Sequence, residues 1–146
     1  MEPQSGYWTH ITSTVFPMSI MVPIKLVKEA YFDEQDFTRE ELLEQRKKAR
    51  TNGFDVKDVM RVTIGYISED KLHDKCFVQH VLNDGFRWVQ RYTTSKNVFV
   101  VSDGAKSQFK SVDMIGWCGT VKKIYGFHRF EWHFFASCHG KCICKL

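Results

Sequence analysis

The tripeptide Ser102-Asp103-Gly104 places an acidic residue directly after the apolar run of residues 98–101. Such a run predicts a buried strand. Ligands and catalytic groups of open α/β sheets gather outside the carboxyl ends of the strands, where an aspartate can present its carboxylate to a divalent metal ion. Asp103 is therefore the first candidate for metal-dependent chemistry. Asp-Gly after a strand is also typical of a plain turn.

A second group of chemically capable residues lies near the end of the sequence and comprises Cys138, His139, Cys142 and Cys144. Thiolates and imidazoles at this spacing can bind zinc, although structural zinc usually joins two ligand pairs separated by a loop. The other potential ligands are scattered: Cys76, Cys118, His128 and His133. The alternative is a set of reduced thiols without metal. A thiol nucleophile at Cys138 or Cys142 is disfavoured, because no third group that would orient a histidine is indicated.

Glu131 and His133 alternate with Trp132 and Phe134, so they share one face of a predicted strand. From that face they could approach a site near Asp103. The alternative is an ordinary polar outer face of a half-buried strand, which we favour.

Seven elements are predicted around these residues from hydrophobic periodicity and turn signals. Thr38 and Glu41 have the spacing of a helix capping box, and Asn52-Gly53 indicates a turn. The order of strands and helices predicts an α/β layered fold. The predicted strands are residues 7–21 (broken at Pro17), 60–68, 98–101 and 130–136, and the predicted helices lie within 32–49, 71–90 and 107–125.

Length and composition are consistent with one globular domain. The chain has 146 residues, of which 43% are hydrophobic and 26% are charged, and its net charge of +4 permits nucleic-acid binding without requiring it. The basic segment of residues 46–50 can contact phosphate, although a solvated helix end is the commoner explanation. No apolar run is long enough for a membrane span and no secretion signal is evident, so we expect an intracellular protein with reduced cysteines.

Three segments resemble, in order and spacing, a group of uncharacterised, transposon-derived animal proteins. These segments are Ile67-Ser68 followed by His73-Asp74-Lys75, the stretch VFVVSDGAKSQFKS at 98–111, and the stretch FEWHFFASCHGK at 130–141. The resemblance implies a ribonuclease-H-like core of the DDE/DDD type, in which carboxylates hold two Mg²⁺ ions for phosphodiester chemistry. Asp103 matches the second acidic residue of that core. Ser107, Gln108 and Lys110 match the motif that follows it and could position phosphate. His139, Gly140 and Lys141 match the segment just before the third acidic residue.

The resemblance also implies departures from the catalytic pattern. The first acidic residue would lie upstream of Gln4 and the third beyond Lys141, so Asp103 is the only retained member of the acidic triad. We therefore expect residues 1–146 to form a single partial domain, an incomplete mixed sheet without its central first strand and last helix, with residues 33–58 as a charged helical insertion and loop. Exposed strand edges would favour self-association.

Three functions follow from these observations. We favour a catalytically inactive transposase-derived domain with weak nucleic-acid binding through the motif residues and the basic residues Lys106, Lys122 and Lys123. The second is a Mg²⁺-dependent nuclease in which Asp103 recruits Asp74, Asp113 or Glu131 as replacement ligands. The third is a non-enzymatic module that binds zinc or another protein. No cofactor is expected, except Mg²⁺ if the domain is catalytic.

Overall fold

A computed structural model describes residues 14–68, 75–102 and 112–134. The fold is a mixed α/β arrangement of helices and two small sheets, as the order of predicted elements indicated. Residues 7–13, 71–74, 107–111 and 135–136 of the predicted elements lie outside the described residues. The elements, in chain order, are β1 (Thr14–Pro23), a 3-10 turn (Ile24–Leu26), α1 (Glu29–Phe32), α2 (Arg39–Thr51), β2 (Val59–Ser68), α3 (Lys75–Tyr92), β3 (Asn97–Ser102), α4 (Val112–Tyr125) and β4 (Arg129–Phe134).

Strands β1 and β2 form an antiparallel pair of ten residues each. The predicted strand break at Pro17 is wrong, because β1 continues through Pro17, which lies opposite Gly65, as far as Pro23. In an antiparallel pair only every second residue directs its N–H toward the partner strand. Proline is tolerated at the remaining positions of an edge strand. Pro17 and Pro23 are an even number of residues apart and therefore have the same orientation.

Helix α2 begins at the predicted capping box. The Thr38 hydroxyl accepts a hydrogen bond from the Glu41 backbone N–H at 3.2 Å, and the Glu41 carboxylate accepts one from the Thr38 N–H at 2.9 Å. Arg39 then donates to the carbonyl oxygens of Ile24 and Val27 at 2.7 and 2.5 Å. The predicted insertion at 33–58 is therefore attached to the end of β1. Its apolar side chains also pack against the core cluster around Ile24: Phe37, Leu42 and Leu43.

Helix α3 packs against both sheets. Phe16 of β1 and Trp132 of β4 both contact the cluster that contains the buried Val78 of α3. Gly85 allows β1 to approach the helix closely, since a Cβ atom built on it would lie 2.9 Å from Met18 Sδ. The two sheets are therefore held on a common helical layer.

Strands β3 and β4 are parallel, and the chain connects them through α4. Phe86 of α3 fills the space between these elements and is 3% exposed. Its ring centroid lies 5.2, 5.7 and 5.6 Å from those of Tyr125, Phe127 and Phe130. This aromatic cluster fixes α3 and α4 to one face of the β3–β4 sheet.

The opposite face of the β3–β4 sheet is exposed. Val98 and Val100 pack against the Phe86 cluster, whereas Phe99 and Val101 are 52% and 43% exposed. The prediction of a strand at residues 98–101 is confirmed, but the expectation that it is buried is wrong for the face that carries Phe99 and Val101. The helices of the described part of the chain cover only one face of this sheet. An apolar run in the sequence does not distinguish a strand covered on one face from a strand covered on both.

The two sheets meet at one end. Val27, just beyond β1, forms an isolated antiparallel bridge with Thr93, just before β3. The Thr94 N–H also donates to the Leu26 carbonyl at 2.8 Å. In the described residues β1 and β3 belong to separate two-stranded sheets.

Candidate functional site

The carboxyl ends of β3 and β4 lie side by side, with Ser102 opposite Phe134 in the parallel register. The Trp132 indole N–H donates to Ser102 Oγ at 2.8 Å, which fixes the last residue of β3 to its neighbour strand. The predicted metal ligand Asp103 follows Ser102 in the sequence and lies outside the described residues. This edge of the sheet is where the ligands of open α/β sheets bind.

Three charged or titratable residues of β4 form one hydrogen-bonded group on the exposed sheet face. Arg129 Nε donates to Glu131 Oε1, and His133 Nε2 lies 2.9 Å from Glu131 Oε2. These two contacts, that of Arg129 above all, hold the pKa of the Glu131 carboxyl below its ordinary value of 4.5. The prediction that Glu131 and His133 share a face is confirmed. Both oxygens of this carboxylate are already engaged by nitrogen groups.

The same face carries an aromatic contact. The Arg129 guanidinium carbon lies 5.3 Å from the centroid of the Phe99 ring, which is within the range of a cation–π interaction. Arg129 therefore connects Glu131 to Phe99 across the two strands.

Asp113, another proposed replacement ligand, lies in the first turn of α4. A carboxylate at this position interacts favourably with the helix macrodipole, so a structural role accounts for it. Across residues 14–68, 75–102 and 112–134 there is no group of three or more His, Cys, Asp or Glu side chains that could hold a metal ion. Glu131 and Asp113 are thus not part of a metal-binding group among these residues.

Most of the site residues predicted from the sequence fall in segments for which the structure gives no description. They are Asp74, Asp103, Lys106, Ser107, Gln108, Lys110, Cys138, His139, Lys141, Cys142 and Cys144. The metal, zinc and phosphate roles assigned to them stay predictions.

Two of the scattered cysteines are described, and both are free thiols. Cys76 is exposed on α3, and Cys118 is half-buried on α4. Burial raises the pKa of the Cys118 thiol above its ordinary value of 9.0, so this thiol stays protonated at neutral pH.

The basic segment of residues 46–50 has a structural function at two of its positions. Arg46 donates to the Val59 carbonyl at 3.2 Å, and Arg50 pairs with Asp58 at 2.7 Å. These contacts fasten the end of α2 to the loop before β2. Lys47 and Lys48 remain exposed.

A set of basic residues that sequence reasoning missed lies at the opposite end of β3 from Ser102. Lys28 and Lys96 are separated by many positions in the sequence and line one surface pocket. No sequence motif links these two lysines. The bridge between Val27 and Thr93 brings their segments together in the fold. The predicted basic residues Lys122 and Lys123 are exposed in the last turn of α4.

The described residues thus define an α/β protein with a parallel strand pair, one strand of which ends at Ser102, and with exposed lysines at the other end of that pair. A family model, a domain of unknown function (DUF8701), matches residues 50–145, and the chain therefore belongs to this family. The match spans β2, α3, β3, α4 and β4 and includes Asp103. No curated protein and no solved structure matches the chain. No helix of the described residues is long and apolar enough to cross a membrane.

Proposed function

We propose that this chain is a ribonuclease-H-like domain of transposase origin that binds nucleic acid without cleaving it. The observation that carries the proposal is the order and direction of the strands. An antiparallel pair, β1 and β2, is followed by a helix and then by a parallel pair joined through a second helix. This is the arrangement that the motif resemblance implies for the strands beside a central first strand.

The common helical layer supports this proposal. Helix α3 contacts β1 through Met18 and Phe16, and it contacts β4 through the cluster that contains Trp132. Two independent sheets are not expected to pack against the same face of one helix. Two flanks of one sheet would do so, because the helix covers the face that they share.

The junction at Val27 and Thr93 brings the segment after β1 beside the segment before β3. The bridge between these two residues is antiparallel. A single strand antiparallel to β1 and parallel to β3 would join both pairs into one mixed sheet of five strands. Strands β1 and β3 would then each have a hydrogen-bonding neighbour on both sides.

Binding without cleavage is supported by the contacts of the described carboxylates and by the exposure of the described lysines. Glu131 is hydrogen-bonded to Arg129 and His133, and Asp113 has the position of a helix-stabilising residue. Lys122 and Lys123 are exposed and have no carboxylate partner within the described part of the chain. Exposed lysines bind the phosphate backbone without regard to sequence.

The test is a paired binding and cleavage assay on the full chain. Fluorescence anisotropy measures binding of labelled single-stranded and double-stranded oligonucleotides, and gel analysis measures cleavage in the presence of Mg²⁺ or Mn²⁺. The variants are Asp103→Ala and, as a matched control, Asp113→Ala. We expect salt-sensitive binding of the same affinity in all three proteins and no metal-dependent cleavage in any of them.

Two results would overturn the proposal. Metal-dependent cleavage by the parent chain that is lost in Asp103→Ala, but not in Asp113→Ala, would make the domain an enzyme of the nuclease or transposase type. Absence of binding at low salt would remove the nucleic-acid function. An experimental structure in which β1 and β3 are hydrogen-bonded directly to each other would contradict the ribonuclease-H-like sheet.

A further inference from the structure

A surface pocket of about 430 Å³ lies where α3 ends and β3 begins. Its lining contains no carboxylate and consists of hydroxyl, amide and ammonium side chains: Lys28, Gln90, Thr93, Thr94, Ser95 and Lys96. Such a lining offers hydrogen-bond donors and positive charge, which are the requirements of a phosphate group.

The two lysines retain donors for a ligand. Lys28 Nζ donates one hydrogen bond, to the Gln90 carbonyl at 3.0 Å, and an ammonium group has three donors. Lys96 is exposed, and among the described residues its side chain has no carboxylate partner. The Gln90 amide donates to the Tyr125 carbonyl at 2.6 Å, which leaves its second N–H available.

The end of a helix would ordinarily disfavour an anion, because its last carbonyl groups carry partial negative charge. At the end of α3 three of the last four carbonyls have partners. The Val89 carbonyl accepts from the Thr93 N–H, the Gln90 carbonyl from Lys28 Nζ, and the Tyr92 carbonyl from the Lys28 N–H at 2.7 Å. Lys28 therefore neutralises this helix end, and Lys96 adds positive charge to it.

Two further lysines, Lys122 and Lys123, lie on α4 outside the lining of the pocket. The Lys96 carbonyl accepts from the His128 N–H at 2.8 Å, and the neighbouring Phe127 N–H donates to the Lys122 carbonyl at 3.0 Å. Lys122 and Lys123 therefore lie on the same end of the molecule as Lys96. The carboxylate of Glu34, which contacts the last turn of α3, is already paired with Arg91 at 3.0 Å. Several lysines that have no carboxylate partner among the described residues suit a ligand with repeated negative charges better than a single anion.

We propose that this pocket binds a phosphate of a nucleic-acid backbone, with Lys28 and Lys96 as its direct contacts and with Lys122 and Lys123 beside the neighbouring phosphates. The inference rests on the proposed nucleic-acid binding and assigns it to the end of β3 opposite Ser102. The phosphodiester backbone is the ligand, so binding should depend little on base sequence and strongly on salt.

The test compares Lys28→Gln, Lys96→Gln and the double variant with the parent chain, with Lys57→Gln as the matched control. Lys57 is exposed in the loop before β2, and its substitution removes the same charge. Affinity for a labelled single-stranded oligonucleotide is measured by anisotropy over a range of salt concentrations. Loss of one phosphate contact should weaken binding about eight-fold at about 0.05 M salt and reduce the salt slope by about 0.7.

The double variant should lose about sixty-fold in affinity under the same conditions, while Lys57→Gln should change it less than about two-fold. Circular dichroism and thermal melting show whether the variants remain folded. If the parent binds the oligonucleotide but the double variant binds equally well, the pocket assignment is wrong and the proposed function stands. If the parent does not bind at low salt, both proposals fail. An equal loss in Lys57→Gln would indicate a diffuse charge effect and would also overturn the pocket assignment.

Discussion

Truncation of Phe86 to alanine tests the packing of α3 and α4 on one face of the β3–β4 sheet. Phe86 is 3% exposed and has four aromatic neighbours: Trp117, Tyr125, Phe127 and Phe130. Removing a buried phenyl ring costs about 3 to 5 kcal/mol in the free energy of unfolding. The aromatic contacts add to the burial of area, so we expect about 4 kcal/mol.

The assay is equilibrium unfolding in urea, followed by circular dichroism. With a slope of about 2 kcal/mol per molar urea, the Phe86→Ala midpoint should fall by about 2 M. Because a loss of this size can unfold a marginally stable domain, Phe86→Leu is measured as well. That variant retains most of the apolar volume and should lose about 1.5 kcal/mol.

Phe99→Ala is the matched control. The same substitution is made in β3, at a phenyl ring that is 52% exposed. It removes mainly the contact with Arg129 and should cost less than about 1 kcal/mol. The reasoning is refuted if Phe99→Ala destabilises the fold as much as Phe86→Ala does. That result would mean that the outer sheet face is covered in solution.

Two further predictions concern single hydrogen-bonded side chains. Thr38→Ala removes the side-chain cap of α2 and should lower the free energy of unfolding by about 1 kcal/mol. Thr51→Ala, at the other end of the helix, is the control and should change the free energy of unfolding by less than about 0.5 kcal/mol. Urea unfolding measures both variants, and equal effects would contradict the capping role. Partial burial and the hydrogen bond to Asp84 raise the pKa of the Tyr66 phenol from its ordinary value of 10.0 to about 12, so its contribution to stability is fully present below pH 10 and is lost as the pH rises toward 12. Near-ultraviolet titration of tyrosinate in the parent and in Tyr66→Phe checks this through the absorbance change near pH 12, because the pKa values of Tyr31, Tyr92 and Tyr125 are also raised. An unchanged absorbance change near pH 12 in the variant would show the assignment to be wrong.

The local elements were predictable because their signals are contiguous in the sequence. The capping box of Thr38 and Glu41 specifies the start of α2 through hydrogen bonds between residues three apart. The apolar spacing within residues 71–90 indicated α3 because one face of a helix must be buried. The prediction of β2 at 60–68 differs from the structure by one residue at its start.

The arrangement of these elements required information that lies far apart in the sequence. Pro17 indicated a strand break, but a strand that is paired on one side only tolerates proline. The pairing of β1 depends on β2, a segment more than forty residues away in the sequence. The run at 98–101 could not reveal that helices cover only one of its faces. Lys28 and Lys96 carry no local pattern, and their proximity arises from the bridge between Val27 and Thr93.

Strand β3 separates the two proposed functional regions. Lys96 immediately precedes this strand and Ser102 ends it, so six residues at about 3.3 Å each place the regions about 20 Å apart. Sites at this separation without shared side chains act independently. A loss of metal-dependent chemistry near Asp103 would therefore leave phosphate binding at Lys28 and Lys96 intact. In the proposed domain nucleic-acid binding can for this reason outlast catalysis, and substitutions at Lys96 and at Asp103 measure the two properties separately.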